Sequence, residues 1–201
     1  GGTFNPPHLG HLAAARTALD ALKLDKLILM PAAVPPHKVL PENSPAQEHR
    51  LAMVERMADA MERPGAVEVS TLELEREGKS YTSDTLEAIH RQYPEAELWL
   101  LMGTDMFLTL HLWHEPGTIL RLAGICAFGR SEQDGEDVFA PQREFLSKTY
   151  PDARIATITL PGLVDISSTQ LRELLARERG SEYLLPSVYG YILMNRLYGT
   201  Y

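Results

Sequence analysis

A chain of 201 residues is the size of one ordinary α/β domain, and its 44% hydrophobic residues suffice for a sizeable core. No stretch approaches the ~20 consecutive apolar residues of a membrane span, so no membrane partner is expected. A formal net charge of −8 argues against a general nucleic-acid binder, and any polyanion must be held by a local positive site.

The chain opens on Gly1-Gly2-Thr3-Phe4-Asn5-Pro6-Pro7-His8-Leu9-Gly10-His11. A glycine pair admits backbone conformations closed to other residues and lets the chain approach a ligand closely. Such a turn normally follows a buried strand, so further residues are expected ahead of Gly1. Two prolines fix φ and release the chain into a helix near His8 or Leu9. His8 and His11, three apart, share one face of its first turn. Amide groups at a helix start favour an anion, and two imidazoles reinforce this, so the stretch reads as a phosphate cradle. As a metal site the pair offers only two ligands, and no Cys or Glu stands at a fitting interval.

Leu12, Ala15, Leu19 and Leu22 keep helical spacing, and Lys26–Met30 follows as a short apolar strand ended by Pro31. This strand–helix rhythm predicts a doubly wound parallel sheet covered by helices. Pro31 to Pro45 holds five prolines, including the tetrad Pro35-Pro36-His37-Lys38, and reads as a functional loop after a strand end. Leu51, Val54, Met57 and Met61 predict a helix over Gln47–Met61, and alternation predicts a strand over Val67–Leu74. Asp84 and Glu87 stand at capping-box spacing in a helix opening at Tyr81–Glu87. Leu98–Met102 is the most hydrophobic strand and is expected to be central. Gly103-Thr104-Asp105 makes a second glycine turn into a helix reaching Leu110, and Trp113 and His114 follow in a loop.

Further on, a helix is expected near Thr118–Ala123, a strand at Ile125–Phe128, a mobile acidic stretch at Ser131–Asp137 and a helix at Gln142–Tyr150. The single Cys126, inside the apolar strand, cannot form an internal disulfide and suits a reducing cytoplasm. A strand at Arg154–Leu160 leads into Asp165-Ile166-Ser167-Ser168-Thr169-Gln170-Leu171-Arg172, and a last helix covers Ser187–Leu197. Three hydroxyl residues at that strand-to-helix junction supply caps, while Arg172 in the first turn reaches an anion held by the junction's amides. Alone, the segment reads equally well as a plain N-cap with a surface arginine. Likewise Asp105 alone reads as a helix cap, and Trp113 alone as a core residue.

The opening stretch resembles the G-G-T-F-D-P-x-H-x-G-H signature of nucleotidyltransferases, with Asn5 at the position usually held by Asp. Ile166–Arg172 resembles their I-S-S-T-x-I-R motif, and Gly103-Thr104-Asp105 their ribose-holding G-x-D turn. Pro35–Lys38, Ser80–Leu86 and Leu112–His114 resemble segments of the bacterial nicotinate-mononucleotide adenylyltransferases, with His114 in place of a more usual Tyr. The match spans nearly the whole chain. It implies a Rossmann-like nucleotidyltransferase domain over residues 1–201, with a C-terminal helical part from about 166. It implies transfer of AMP from ATP to nicotinate mononucleotide, giving the deamido dinucleotide and pyrophosphate.

On this resemblance His8, His11 and Arg172 stabilise the reacting phosphates. Gly1, Gly2, Thr3, Phe4, Gly103, Asp105, Ile166, Ser167 and Ser168 hold ATP. Lys38, Thr82, Thr85, Trp113 and His114 hold the mononucleotide: Trp113 offers a flat face to the pyridine ring, and helix-start amides near Thr82–Thr85 offer donors to its carboxylate. Mg²⁺ is expected on ATP oxygens and water rather than in a carboxylate cage. A homo-oligomer is compatible with the composition. Two other assignments fit parts of the pattern: a sister enzyme acting on phosphopantetheine or a polyol-phosphate, whose relatives commonly show T-x-G-H, and a nucleotide-binding module without catalysis. The H-x-G-H form counts against the first, and the intact histidines and Arg172 against the second.

Overall fold

Parallel pairing dominates the strands. In the computed structural model, residues 1–201 are described except 35–38, 130–133, 161, 163 and 165. The described residues divide into two compact units, Gly1–Ser80 with Val164–Tyr201, and Tyr81–Leu163.

In the first unit, α1 (Leu9–Ala21) leads to β1 (Leu27–Leu29), α2 (Gln47–Asp59) and β2 (Val67–Val69). β1 and β2 pair in parallel, and Gly2 bridges in parallel to Pro31 just beyond β1. The Gly2 amide donates to the Met30 carbonyl at 3.1 Å, and the Ala32 amide to the Gly2 carbonyl at 2.9 Å. The opening glycine turn is therefore held to the segment leaving β1. β2 is shorter than its alternation suggests. After Ser70 the chain turns, because the Leu74 and Glu75 amides both bond the Thr71 carbonyl and the Thr71 hydroxyl reaches Glu75 at 2.6 Å.

The C-terminal helices belong to the same unit: α7 (Ser168–Leu175) and α8 (Pro186–Met194), with short 3-10 turns at Ser181–Tyr183 and Leu197–Gly199. Met53 of α2, Leu171 and Leu175 of α7, and Val188 and Ile192 of α8 close one apolar core. Truncating such a fully buried leucine to alanine typically costs ~2–5 kcal/mol, so this core holds α7 firmly in place.

The second unit holds β3 (Leu98–Gly103), β4 (Ala123–Phe128) and β5 (Ile155–Ile158), all parallel in the order β3-β4-β5. Within this sheet β4, not the more hydrophobic β3, takes the middle place. Its small residues explain why: Gly124 lies in register with Trp99, and a Cβ there would fall 2.7 Å from the indole. α3 (Thr82–Gln92), α4 (Thr104–Leu108), α5 (Pro116–Leu122) and α6 (Glu136–Thr149) complete the unit. Leu86, Phe107, Leu110, Ile119, Ile125 and Leu146 form its core.

Two local expectations fail. The capping box of Asp84 and Glu87 does not form, because Tyr81 is the N-cap and Asp84 already lies inside the first turn. α6 begins at Glu136 rather than Gln142, with Pro141 inside it. As the sixth residue of α6, Pro141 forfeits the bond to the Asp137 carbonyl and crowds it, and buried Phe139 and Leu146 supply packing that offsets this cost.

Candidate active site

The N-cap of α1 is His8, in extended conformation. Its Nδ1 accepts the Gly10 amide at 3.2 Å, while its own amide donates to His11 Nδ1 at 3.1 Å. With Nδ1 accepting in both, each neutral ring carries its proton on Nε2. The two rings lie 3.8 Å apart, and the Phe4 ring sits 5.1 Å from that of His11. Gly10 gives this arrangement room. A Cβ on it would stand 3.0 Å from the His8 ring and 3.5 Å from the Val164 carbonyl.

Across the same unit, Ser167 caps α7 in a reciprocal box with Gln170. Ser168 Oγ donates to the Pro6 carbonyl at 3.0 Å. Arg172 Nη1 donates to the Asn5 carbonyl at 2.8 Å, and its Nη2 to Thr169 Oγ1 at 3.2 Å. Two helix N-termini from opposite ends of the sequence are thus tied to one short segment, residues 5–8. Amides of both, with two imidazoles and a guanidinium, gather positive potential there despite the acidic chain. Ile166 is buried in the core behind this junction, which leaves its backbone as the part able to meet a ligand.

Asn5 is itself a tie. Buried to 2% exposure, it donates from Nδ2 to Ser44 Oγ at 2.9 Å and accepts the Tyr198 hydroxyl on Oδ1 at 2.9 Å. Burial pushes the Tyr198 phenol up, with Arg172 and Arg50 pulling the other way. An amide spent in this way is not a metal ligand. Among the described residues no group of three His, Cys, Asp or Glu side chains is placed to hold a metal ion.

Sequence reasoning did not reach Tyr198, Ser44 or Arg50. The last is buried in α2 with its guanidinium on the Thr3 and Ala32 carbonyls. Its position carried a usable signal: Arg50, Met53, Val54 and Met57 follow the i, i+3, i+4, i+7 spacing of a buried stripe.

In the second unit, Gly103 ends β3 and caps α4. Thr104 is buried, its Oγ1 2.8 Å from Asp134 Oδ2, whereas Asp105 is exposed in the first turn of α4. Thr82 opens α3, and Thr85 is buried with its hydroxyl returned to the Tyr81 carbonyl at 3.2 Å. Trp113 is half-buried against the core, its Nε1–H directed to Thr109 Oγ1 at 3.4 Å. His114 stacks on Tyr81 with ring centroids 4.3 Å apart. The N-terminus of α3 thus stands beside a tilted Tyr–His pair. Lys38 and the rest of its tetrad lie outside the described residues. An open cleft of about 500 Å³ lies elsewhere in this unit, at the entry ends of the strands, lined by His90, Glu95, Glu97, Arg121 and Arg154. Its lining mixes both charges, and Arg154 is already paired with Glu97. It lies at the wrong end of a parallel sheet for a ligand site.

A cytidylyltransferase-like family model matches residues 1–174. A protein of Shewanella sp. (strain MR-7) named "Probable nicotinate-nucleotide adenylyltransferase" is 39% identical over 210 residues, covering 98% of this chain and 96% of that one. One of the same name from Neisseria meningitidis serogroup C is 36% identical over 201 residues, with 98% and 96% covered. Among solved structures, the nicotinic acid mononucleotide adenylyltransferase of Plasmodium falciparum, complexed with NaAD, superposes with a TM-score of 0.79. At 17% identity, over 100% of this chain and 96% of that one, this likeness concerns the fold: a doubly wound parallel α/β fold.

Proposed function

We infer that this chain, which belongs to the cytidylyltransferase-like family and within it to the nicotinate-nucleotide adenylyltransferases, transfers AMP from ATP to nicotinate mononucleotide. The products are nicotinate adenine dinucleotide and pyrophosphate, a step of NAD biosynthesis. The carrying observation is the tie of Arg172 and Ser168 to Asn5 and Pro6, which brings both signature motifs to one anion-binding turn.

The chemistry asks little of the protein beyond placement. A phosphate oxygen of the mononucleotide attacks the α-phosphorus of ATP in line, and the bond to the β,γ-pyrophosphate breaks. A phosphate monoester is already a nucleophile at neutral pH, so no strong general base is needed. The Nε2–H groups of His8 and His11 stabilise charge on the triphosphate as it builds toward the leaving group. The amides of Thr3 and Phe4 and those of Ser168 and Thr169 at the start of α7 cradle it, and Arg172 adds a fixed cation. Asp105, exposed on the turn after Gly103, accepts ribose hydroxyls. Trp113 and His114 frame the pyridine ring, and amides at Thr82–Thr85 take its carboxylate, with Lys38 offsetting phosphate charge. Mg²⁺ enters with ATP as part of the substrate, its oxygen ligands coming mainly from the triphosphate and water.

The whole chain acts as one nucleotidyltransferase domain. A buried, unpaired Cys126 supports a reducing, cytoplasmic setting. The test is product formation: purified protein with ATP, Mg²⁺ and nicotinate mononucleotide releases pyrophosphate and the dinucleotide in equal amounts. Hydrolysis of ATP without dinucleotide contradicts it.

A further inference from the structure

Arg50 is 2% exposed, yet no carboxylate stands within ion-pair distance of it among the described residues. Its partners are three main-chain carbonyls: Thr3 at 2.9 Å and Ala32 at 2.6 Å from Nη1, and Ala33 at 3.4 Å from Nη2. Nε–H is buried with no partner among the described residues. Burial lowers its pKa, with Tyr198 and Glu48 opposing, but a guanidinium starts high enough to stay charged. Burying an uncompensated cation with a spare donor is costly, and such groups ask for an explanation.

The explanation lies in what those carbonyls belong to. The ladder between the opening turn and the end of β1 uses Gly2, Met30 and Ala32. Arg50 spans Thr3 and Ala32, the point where the two segments leave it. In a trans peptide the carbonyl of one residue and the amide of the next point opposite ways. With the Thr3 carbonyl held inward on Arg50, the Phe4 amide is turned away from α2, and no described backbone hydrogen bond uses it. Phe4 also has φ of 48°, a left-handed conformation that a bulky residue does not hold unaided. Its ring is the neighbour of the His11 imidazole.

Resting on the nucleotidyl-transfer reading above, we propose that Arg50 is a positioning residue. From behind the opening turn it fixes the Thr3–Phe4 peptide so that the Phe4 amide and the His11 ring face the triphosphate. Its unneutralised charge adds positive potential beneath them.

The test compares wild type with Arg50→Lys, which keeps the charge but loses the fork, and Arg50→Met, which loses both. Melting temperature, kcat and the KM of each substrate are read, and binding of inorganic tripolyphosphate is measured by calorimetry. The prediction for Arg50→Lys is a folded protein with kcat down ~10-fold, tripolyphosphate bound ~10-fold more weakly, KM for ATP raised several-fold and KM for the mononucleotide within twofold. Arg50→Met loses a further ~10-fold in kcat/KM for ATP. Folded variants with wild-type kcat and tripolyphosphate affinity overturn the proposal, as does an equal rise in both KM values. If Arg50→Met fails to fold, Arg50→Lys decides alone. Should wild type transfer no AMP, the reaction assignment fails, and tripolyphosphate affinity then judges Arg50: a ~10-fold loss in Arg50→Lys upholds its role and no change removes it.

Discussion

The guanidinium of Arg172 donates to the backbone carbonyl of Asn5, 2.8 Å away, across 167 positions of sequence. The bond ties the second turn of α7 to the segment that leads into His8, and Ser168 on Pro6 ties the first.

His11→Ala removes one Nε2–H from the anion site and should lower kcat by ~100–1,000-fold, the usual loss for a donor acting on developing charge. It also deletes one half of the α1 capping box, worth ~1 kcal/mol, so the melting temperature should fall by only a few degrees. Steady-state kinetics beside a thermal melt separate the two effects. Turnover near that of wild type would remove His11 from the mechanism.

Gly10→Ala tests placement rather than chemistry. The new methyl would stand 3.0 Å from the His8 ring, which must tilt or translate. Turnover is expected to drop ~10–100-fold with both histidines intact, as small misplacements do. An unchanged kcat would mean that the ring tolerates displacement.

For Trp113→Ala, a raised KM for nicotinate mononucleotide is expected, with ATP binding preserved. Loss of ATP binding with mononucleotide affinity intact would put Trp113 in the wrong pocket.

Tyr198→Phe leaves Asn5 Oδ1 buried without its donor, which should cost ~1–3 kcal/mol of stability. Denaturant unfolding measures this directly, and a stability equal to wild type would show that another donor replaces the hydroxyl.

Alkaline pH should weaken the fold through Cys126. Burial in β4 pushes its thiol up to about 11, whereas an unfolded cysteine titrates near ~8.5. Between those values the unfolded chain gives up a proton that the native chain keeps. Stability is therefore full at neutral pH and falls as pH rises through that window, by at most ~3 kcal/mol, about 1.4 kcal/mol per unit between the two values. Tyr198, also pushed up, acts in the same direction at higher pH. Cys126→Ala should flatten the first part of the slope in denaturant titrations from pH ~8 to ~11. An identical slope in the variant would assign the effect elsewhere.

The legible parts of the site were those where residue type and local geometry coincide. His8, Gly10 and His11 encode their own helix start, and Ser167 with Gln170 encodes another. Helical periodicity located α1 and α2 because each buries one stripe. What the sequence hid depends on distant neighbours. Asn5 is explained only by Ser44 and Tyr198, 39 and 193 positions away. Arg50 shares the spacing of the buried stripe of α2, but what holds an arginine there shows only once its carbonyl partners are in view. Even in local structure, Pro141 concealed the start of α6, and the Thr71 turn cut short the alternation of β2.

The most direct test of the account offers nicotinate and nicotinamide mononucleotides separately as acceptors with ATP and Mg²⁺, and quantifies dinucleotide by chromatography. The account predicts dinucleotide and pyrophosphate in equal amounts with the nicotinate acceptor, at a kcat/KM well above that of the amide. Pyrophosphate release with neither acceptor, or preference for the amide, would contradict it.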